Sequence, residues 1–210
     1  MKAPAGTAPV NTPLVLIVDD DEGIREALAD LLRSVGVETK SFGSTRELLD
    51  AAPNDRPGCL ILDVRLPGIS GLDLQAQLAR NGNTHPIIFM TGHGDIPMSV
   101  RAMKAGATDF LTKPFRDQDM LDAVAAAIDK DMAQRRDATA AKEVAALAAT
   151  LTPRETEVMA AVVKGLMNKQ IAGLLGISEI TVKLHRGNVM RKMAVRSVAD
   201  LVRKAELLER

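Results

Sequence analysis

The chain is predicted to be an α/β protein: a five-stranded parallel sheet wound by helices on both faces, then a helical linker and a small all-helical domain. Three observations predict it. Short apolar runs end on charged groups: Leu14-Val15-Leu16-Ile17-Val18 leads into Asp19 and Asp20, Cys59-Leu60-Ile61-Leu62 into Asp63, and Phe110-Leu111-Thr112 into Lys113-Pro114. Runs of this kind, bounded by turn signals, read as strands buried on both faces, the situation of parallel strands. They alternate with helix-period segments up to about residue 130, and beyond that point no strand pattern recurs.

Each element has its own warrant. Over 22–35, Ile24, Leu28, Leu31, Leu32 and Val35 recur at helical spacing, and Gly36 follows as a left-handed cap would. Residues 37–42 read as the second strand, 44–51 as a helix, 58–63 as the third strand and 71–80 as a helix. Residues 86–91 and 108–112 supply the last strands, with helices over 96–104 and from 117 onward. Residues 131–149 are rich in Ala, lack Gly and Pro, and propagate helix well. Four short helical segments then begin near Pro153, Asn168, Glu179 and Ser197. The expected organisation is a loose tail over 1–12, an α/β domain over 13–130, a helical linker over 131–149 and a four-helix domain over 150–210.

A length of 210 residues suits two domains. The formal charge is zero, yet residues 1–149 hold 16 Lys and Arg against 21 Asp and Glu, whereas 150–210 hold 11 against 6. The basic second half points to a polyanion, most simply nucleic acid, with ordinary surface scatter as the bland alternative. The single Cys59 excludes an internal disulfide and fits a reducing cytosol as an inert core thiol. Residues 2–13 lack the apolar run of a signal peptide and no segment reaches the length of a membrane span, so the expected location is cytoplasmic. Without Trp or Tyr, base stacking on those rings is unavailable, which favours duplex DNA over single strands.

In a parallel sheet, ligand sites gather at the carboxyl ends of the strands. Asp19, Asp20, Asp63 and Lys113 are therefore expected in one crevice. Crowded carboxylates repel unless a hard cation sits among them, and a lysine nearby suits an incoming phosphoryl group, so the crevice reads as one for magnesium and phosphate. Asp21 and Glu22 stand at the start of the following helix, where they favour its dipole rather than bind metal.

Val18-Asp19-Asp20, Leu62-Asp63, Leu66-Pro67-Gly68, Thr91-Gly92 and Lys113-Pro114-Phe115 occur in that order. With them, residues 13–130 resemble the flavodoxin-like receiver domains of two-component response regulators. Each motif alone is weak, and together they are specific. The resemblance implies that Asp63 is the nucleophile, accepting a phosphoryl group from a sensor histidine kinase. It further implies that Mg2+ is held by Asp19, Asp20 and Asp63 with the backbone carbonyl of Arg65. Lys113 would pair with a phosphate oxygen, Thr91 would donate its hydroxyl to another, and Phe110 would swing inward behind it. Without phosphate, Phe110 is equally well explained as a core or half-buried residue. The family also keeps the Lys113–Pro114 bond cis. The Arg65 side chain either tunes phosphate loss or is simply solvated, and His93 reads as an exposed loop residue.

In the second domain, 168–175 make a short helix, Gly176-Ile177-Ser178 a turn with Ser178 as cap, and 179–193 a second helix. On it Val182, Val189 and Met193 form one buried face, and half a circle away stand Ile180, Lys183, Leu184, Gly187 and Arg191. This mixed face suits a recognition helix: Lys183 reaches base edges or phosphate, Leu184 thymine methyls, Gly187 permits close approach, and Arg191 meets phosphate. Thr181, Asn188, Lys192 and Lys169 are further contact candidates, and the three last, with Arg186, are either phosphate-facing or merely solvated. His185 reads as packing.

Leu151-Thr152-Pro153-Arg154-Glu155, Gly165 through Ala172 and Ser178 through His185 resemble the LuxR-type helix-turn-helix domain, and the whole chain resembles the NarL/FixJ family. The segment Thr91-Gly92-His93-Gly94-Asp95-Ile96-Pro97-Met98 is similar to its FixJ branch. The resemblance implies a transcription factor switched by phosphorylation, pairing through the receiver face over 96–112, with 197–208 available to pair the DNA domains and RNA polymerase as a partner. The unphosphorylated form is either closed on itself or monomeric. Two rivals stand beside it: a receiver acting through protein contact, and an aspartate-nucleophile phosphatase, which would need a substrate cap. A dinucleotide binder is excluded, because acids occupy the place of Gly-x-Gly-x-x-Gly.

Overall fold

A computed structural model describes residues 12–51, 55–92 and 96–208. The expected tail, Thr12 apart, and His93 lie outside the described residues. The chain divides into two compact units between Arg135 and Arg136.

The first unit runs β1 (Leu14–Val18), α1 (Glu22–Ser34), β2 (Glu38–Phe42), α2 (Thr45–Asp50), β3 (Gly58–Asp63), α3 (Gly71–Arg80), β4 (Ile87–Thr91), α4 (Ile96–Lys104), β5 (Asp109–Thr112) and α5 (Asp117–Ala148). The expected boundaries are off by about a residue, mostly where a capping residue was counted inside its helix. Asp21 caps α1, its carboxylate accepting from the Ile24 N–H at 3.2 Å, as its place at the helix start suggested. The five strands are all parallel in the order β2-β1-β3-β4-β5. The winding reverses between β1 and β3, which opens a crevice at their carboxyl ends.

Successive strand residues face opposite sides of the sheet. Val15, Ile17, Cys59, Ile61, Ile88 and Met90 pack on Leu28 and Leu32 of α1 and Met120 and Val124 of α5. Leu16, Val18, Leu60, Leu62 and Phe89 pack on Leu48, Leu74, Leu78 and Ala102 from α2, α3 and α4. Central β3 is buried along its whole length, whereas β2, at the edge, buries only Phe42 fully. Gly58 has to be glycine: a Cβ there would stand 1.9 Å from the Leu14 carbonyl oxygen on β1. Cys59 is buried, and burial pushes its thiol up to about 12, so it is the inert core thiol expected.

Residues 131–149, expected as a linker, are helical through Ala148 but are shared between the units rather than standing apart. Asp131 is wholly buried in the first unit, accepting from the Gly58 N–H at 2.9 Å and from Arg135 Nε at 2.7 Å. Val144 is buried in the core of the second unit, with Leu147 and Ala148 packed against it.

The second unit adds α6 (Pro153–Val163), α7 (Asn168–Leu175), α8 (Glu179–Lys192) and α9 (Val198–Glu206). A capping box starts α6: the Glu155 N–H donates to Thr152 Oγ1 at 3.3 Å and the Thr152 N–H to Glu155 Oε2 at 2.8 Å. Gly176, at φ +65°, ends α7 in the left-handed region, and Ser178 caps α8 by accepting from the Thr181 N–H at 3.1 Å. Val158, Val162, Ile171, Val182, Val189, Met193 and Leu201 form one core. Among the described residues no helix is long and apolar enough to cross a membrane.

Candidate phosphoacceptor crevice and nucleic-acid interface

The register aligns the ends of β1 and β3, with Val18 opposite Leu62, so the next residues, Asp19 and Asp63, emerge side by side. Both are buried, while Asp20 is exposed at the mouth. Carboxylate oxygens of the three lie within 4.8 Å of one another. Lys113, just past β5, spans the crevice: its Nζ donates to Asp19 Oδ2 at 2.6 Å and to Asp63 Oδ2 at 2.7 Å. The other oxygens are held by backbone, Asp19 Oδ1 by the Asp21 N–H at 3.0 Å and Asp63 Oδ1 by the Arg65 N–H at 2.9 Å. Each buried carboxylate is thereby fixed at both oxygens.

The electrostatics follow from burial. Desolvation holds the Asp19 carboxyl above its ordinary value, even against the hydrogen bond and charge of Lys113. Burial pulls the Lys113 ammonium down, but its bonds to Asp19 and Asp63 outweigh it, so its pKa is raised. A buried carboxylate whose ionised form is disfavoured gains from a nearby cation, and three oxygen donors this close suit a hard divalent ion. The residues present therefore fit Mg2+.

Thr91 ends β4 wholly buried, and its carbonyl accepts from the Lys113 N–H at 2.7 Å. The Lys113–Pro114 bond is cis. Phe110 is half-buried on β5 and packs on Phe89, ring centroids 6.5 Å apart and planes at 45°. Arg65 is exposed. Two contributors escape a reading by motif. Arg25 Nη1 donates to the Asp19 carbonyl at 2.7 Å from the first turn of α1. At Gly71 a Cβ would stand 2.6 Å from the Asp63 carbonyl oxygen, so glycine lets α3 start against the end of β3. The glycine following the Pro67-Gly68 turn was the available signal for the second; Arg25 carried none.

On α8, Val182, Val189 and Met193 are buried, while Ile180, Lys183, Leu184, Gly187 and Arg191 lie exposed along the opposite side. Lys169 is exposed in the first turn of α7. Thr181 is half-buried, its hydroxyl 2.8 Å from that of Ser178, and Asn188 Oδ1 accepts from Arg191 at 3.5 Å. His185 is half-buried, with Nδ1 enclosed, in keeping with packing. Arg186 Nη1 donates to Asn168 Oδ1 at 2.7 Å and so ties α8 to α7.

Lys192 departs from its expected place among the phosphate contacts. Its Nζ donates to Glu155 Oε2 at 2.6 Å and to the Thr150 carbonyl at 2.9 Å, which turns the ammonium inward. The Lys192 hydrogen bond, with that of the Thr152 backbone, holds the Glu155 carboxyl down at about 2. The pair fastens α8 to α6; the sequence gives no hint of it, because every cation on a recognition helix invites a phosphate.

Two family models match the chain: the response regulator receiver domain over residues 15–125 and the bacterial regulatory proteins of the luxR family over 149–205. The chain is 56% identical over 195 residues to nodulation protein W of Bradyrhizobium diazoefficiens, covering 93% of this chain and 86% of that one. It is 47% identical to the transcriptional regulatory protein FixJ of Azorhizobium caulinodans, covering 92% of each. Among solved structures it is similar to the response regulator StyR, with TM-score 0.80, 48% identity and coverage of 93% and 98%. Full-length FixJ from B. japonicum matches with TM-score 0.59, 39% identity and coverage of 94% and 97%. With acids and a lysine gathered at the strand ends of one unit and a helix-turn-helix in the other, the chain belongs to the NarL/FixJ family of two-component response regulators, transcription regulators that join a receiver to a LuxR-type DNA-binding domain.

Proposed function

We propose that Asp63 is the phosphoacceptor and that its phosphorylation by a sensor histidine kinase drives receiver pairing and promoter binding. The observation that carries this is the Lys113 bridge between Asp19 and Asp63. It keeps a lysine poised at the acceptor, ready to follow the charge onto a phosphoryl group. Asp19, Asp20 and Asp63, with the Arg65 carbonyl, would hold Mg2+. When bound, the ion supplies charge neutralisation between acceptor carboxylate and phosphoryl group, the main need of this chemistry.

An Asp63 carboxylate oxygen attacks phosphorus as the bond from phosphorus to the kinase histidine breaks, leaving an acyl phosphate and a free imidazole. Lys113 then pairs with one phosphate oxygen, Thr91 donates its hydroxyl to another, and Phe110 follows inward. Later hydrolysis returns the carboxylate. In this sense the receiver catalyses only its own phosphorylation and dephosphorylation.

In this reading residues 13–130 form the receiver and 150–210 the DNA-binding domain, and the protein works in the cytoplasm. The receiver face over 96–112 pairs two phosphorylated chains. Two recognition helices then meet related half-sites, which raises affinity without new contacts. Lys183, Leu184, Gly187 and Arg191 meet the duplex first, with Thr181, Asn188 and Lys169 beside them, and the bound dimer recruits RNA polymerase directly. Sedimentation with magnesium, with and without beryllium fluoride as phosphoryl mimic, tests the switch. A monomer-to-dimer shift in wild type but not in Asp63→Asn is expected; an equal response of the two proteins would overturn it.

A further inference from the structure

The exposed face of α8 carries two large apolar side chains. At 3.6 residues per turn, Ile180, Leu184, Gly187 and Arg191 form one stripe along the helix, with Lys183 at its edge and Glu179 well round the flank. Ile180 is 80% exposed and Leu184 63%. They occupy the N-terminal half of the helix, the half that meets base edges in helix-turn-helix docking. Beside the stripe, polar groups already have partners within the domain: the Thr181 hydroxyl lies 2.8 Å from that of Ser178. Asn188 faces Arg191, and Arg186 is spent on Asn168. Lys183 is left as the hydrogen-bonding side chain on the stripe's reading half.

We propose that Ile180 is a specificity-determining residue, and that Ile180 and Leu184 together read the 5-methyl groups of two nearby thymines in each half-site. The proposal rests on the DNA-binding reading above and names its sequence chemistry. The thymine methyl is the apolar feature of the major groove, and an apolar pair in that groove has no other base group to match. Residues four apart are about 6 Å apart along α8, and base pairs stack about every 3.4 Å, so the two thymines fall one or two steps apart. Flanking charge favours DNA over a protein surface as the occupant, since Lys183 and Arg191 border the pair and an exposed glycine, Gly187, allows close approach.

The test needs no known operator. Duplexes are enriched from a random pool by the full chain with magnesium and beryllium fluoride, and the best is remade with uracil for thymine, one position at a time, which removes a methyl and nothing else. Wild type is expected to weaken about fourfold at each of two positions per half-site, the effect of burying one methyl-sized group. Ile180→Ala should lose sensitivity at one position and Leu184→Ala at the other; both side chains are exposed, so neither change disturbs the core. Uracil without effect on wild type, or variants that keep both sensitivities, overturns the proposal while DNA binding stands. Failure to enrich any duplex overturns both. Unchanged duplex affinity with impaired polymerase-dependent transcription in Ile180→Ala would give this residue to a protein partner and overturn it as well.

Discussion

Lys113 Nζ lies 2.7 Å from Asp63 Oδ2 and 2.6 Å from Asp19 Oδ2, so one ammonium compensates two buried carboxylates. Removing it leaves both acids without their cation. Lys113→Ala is expected to destabilise the receiver by about 3 kcal/mol, the cost of breaking a buried ion pair on one side. Magnesium should restore part of that loss. Urea unfolding with and without the ion, followed in the receiver transition, checks both statements.

Asp19 offers a test of the proposed metal site. Its raised pKa means that ionisation opposes folding: its contribution is most favourable below the ordinary value of 3.8 and is lost as pH rises through the higher folded value. Asp19→Asn removes that opposition. The variant should unfold at an equal or higher temperature than wild type in chelator. Its affinity for magnesium should nonetheless fall on the order of tenfold or more, since even second-sphere changes lose about 10- to 100-fold. Thermal melts across a magnesium titration separate the two effects.

Glu155 runs the opposite way. Its pKa falls from 4.5 to about 2 in the folded protein, so its stabilising contribution is full above 4.5 and drains away as pH falls toward 2. The four-helix unit should lose stability across that acid window. Glu155→Gln should be less stable at neutral pH and lose much of that dependence. Helical circular dichroism during acid titration of the two proteins gives the comparison.

Lys192 and Arg191 are neighbours in different settings, one paired with Glu155 and the other exposed. Arg191→Ala should reduce the salt dependence of DNA binding by about one unit of slope, the signature of one lost phosphate contact. Lys192→Ala should leave that slope unchanged and lower the unfolding midpoint of the helical unit, because its ammonium is bound to Glu155. Binding isotherms at several salt concentrations, paired with melts, distinguish them.

The crevice was legible because its parts are written locally. An apolar run ending in Asp19, Asp63 or Lys113 states both the strand and the end that carries the charge, and parallel pairing does the rest. The recognition helix was legible for a similar reason: Val182, Val189 and Met193 mark its inner face through helical periodicity alone. What stayed hidden depends on partners far along the chain. Lys192 finds Glu155 across 37 positions, and Asp131 finds Gly58 across 73. No local pattern distinguishes such a lysine from a phosphate contact, or such an aspartate from a solvated residue in an Ala-rich helix. That is why residues 131–149 read as a linker although Asp131 belongs to the receiver core.

Phosphoryl labelling of wild type and Asp63→Asn by a phosphorylated histidine kinase domain, with and without magnesium, tests the central claim most directly. Magnesium-dependent incorporation of one hydroxylamine-labile phosphoryl group in wild type, and none in Asp63→Asn, is the predicted result. Full labelling of Asp63→Asn would contradict it and move the acceptor elsewhere.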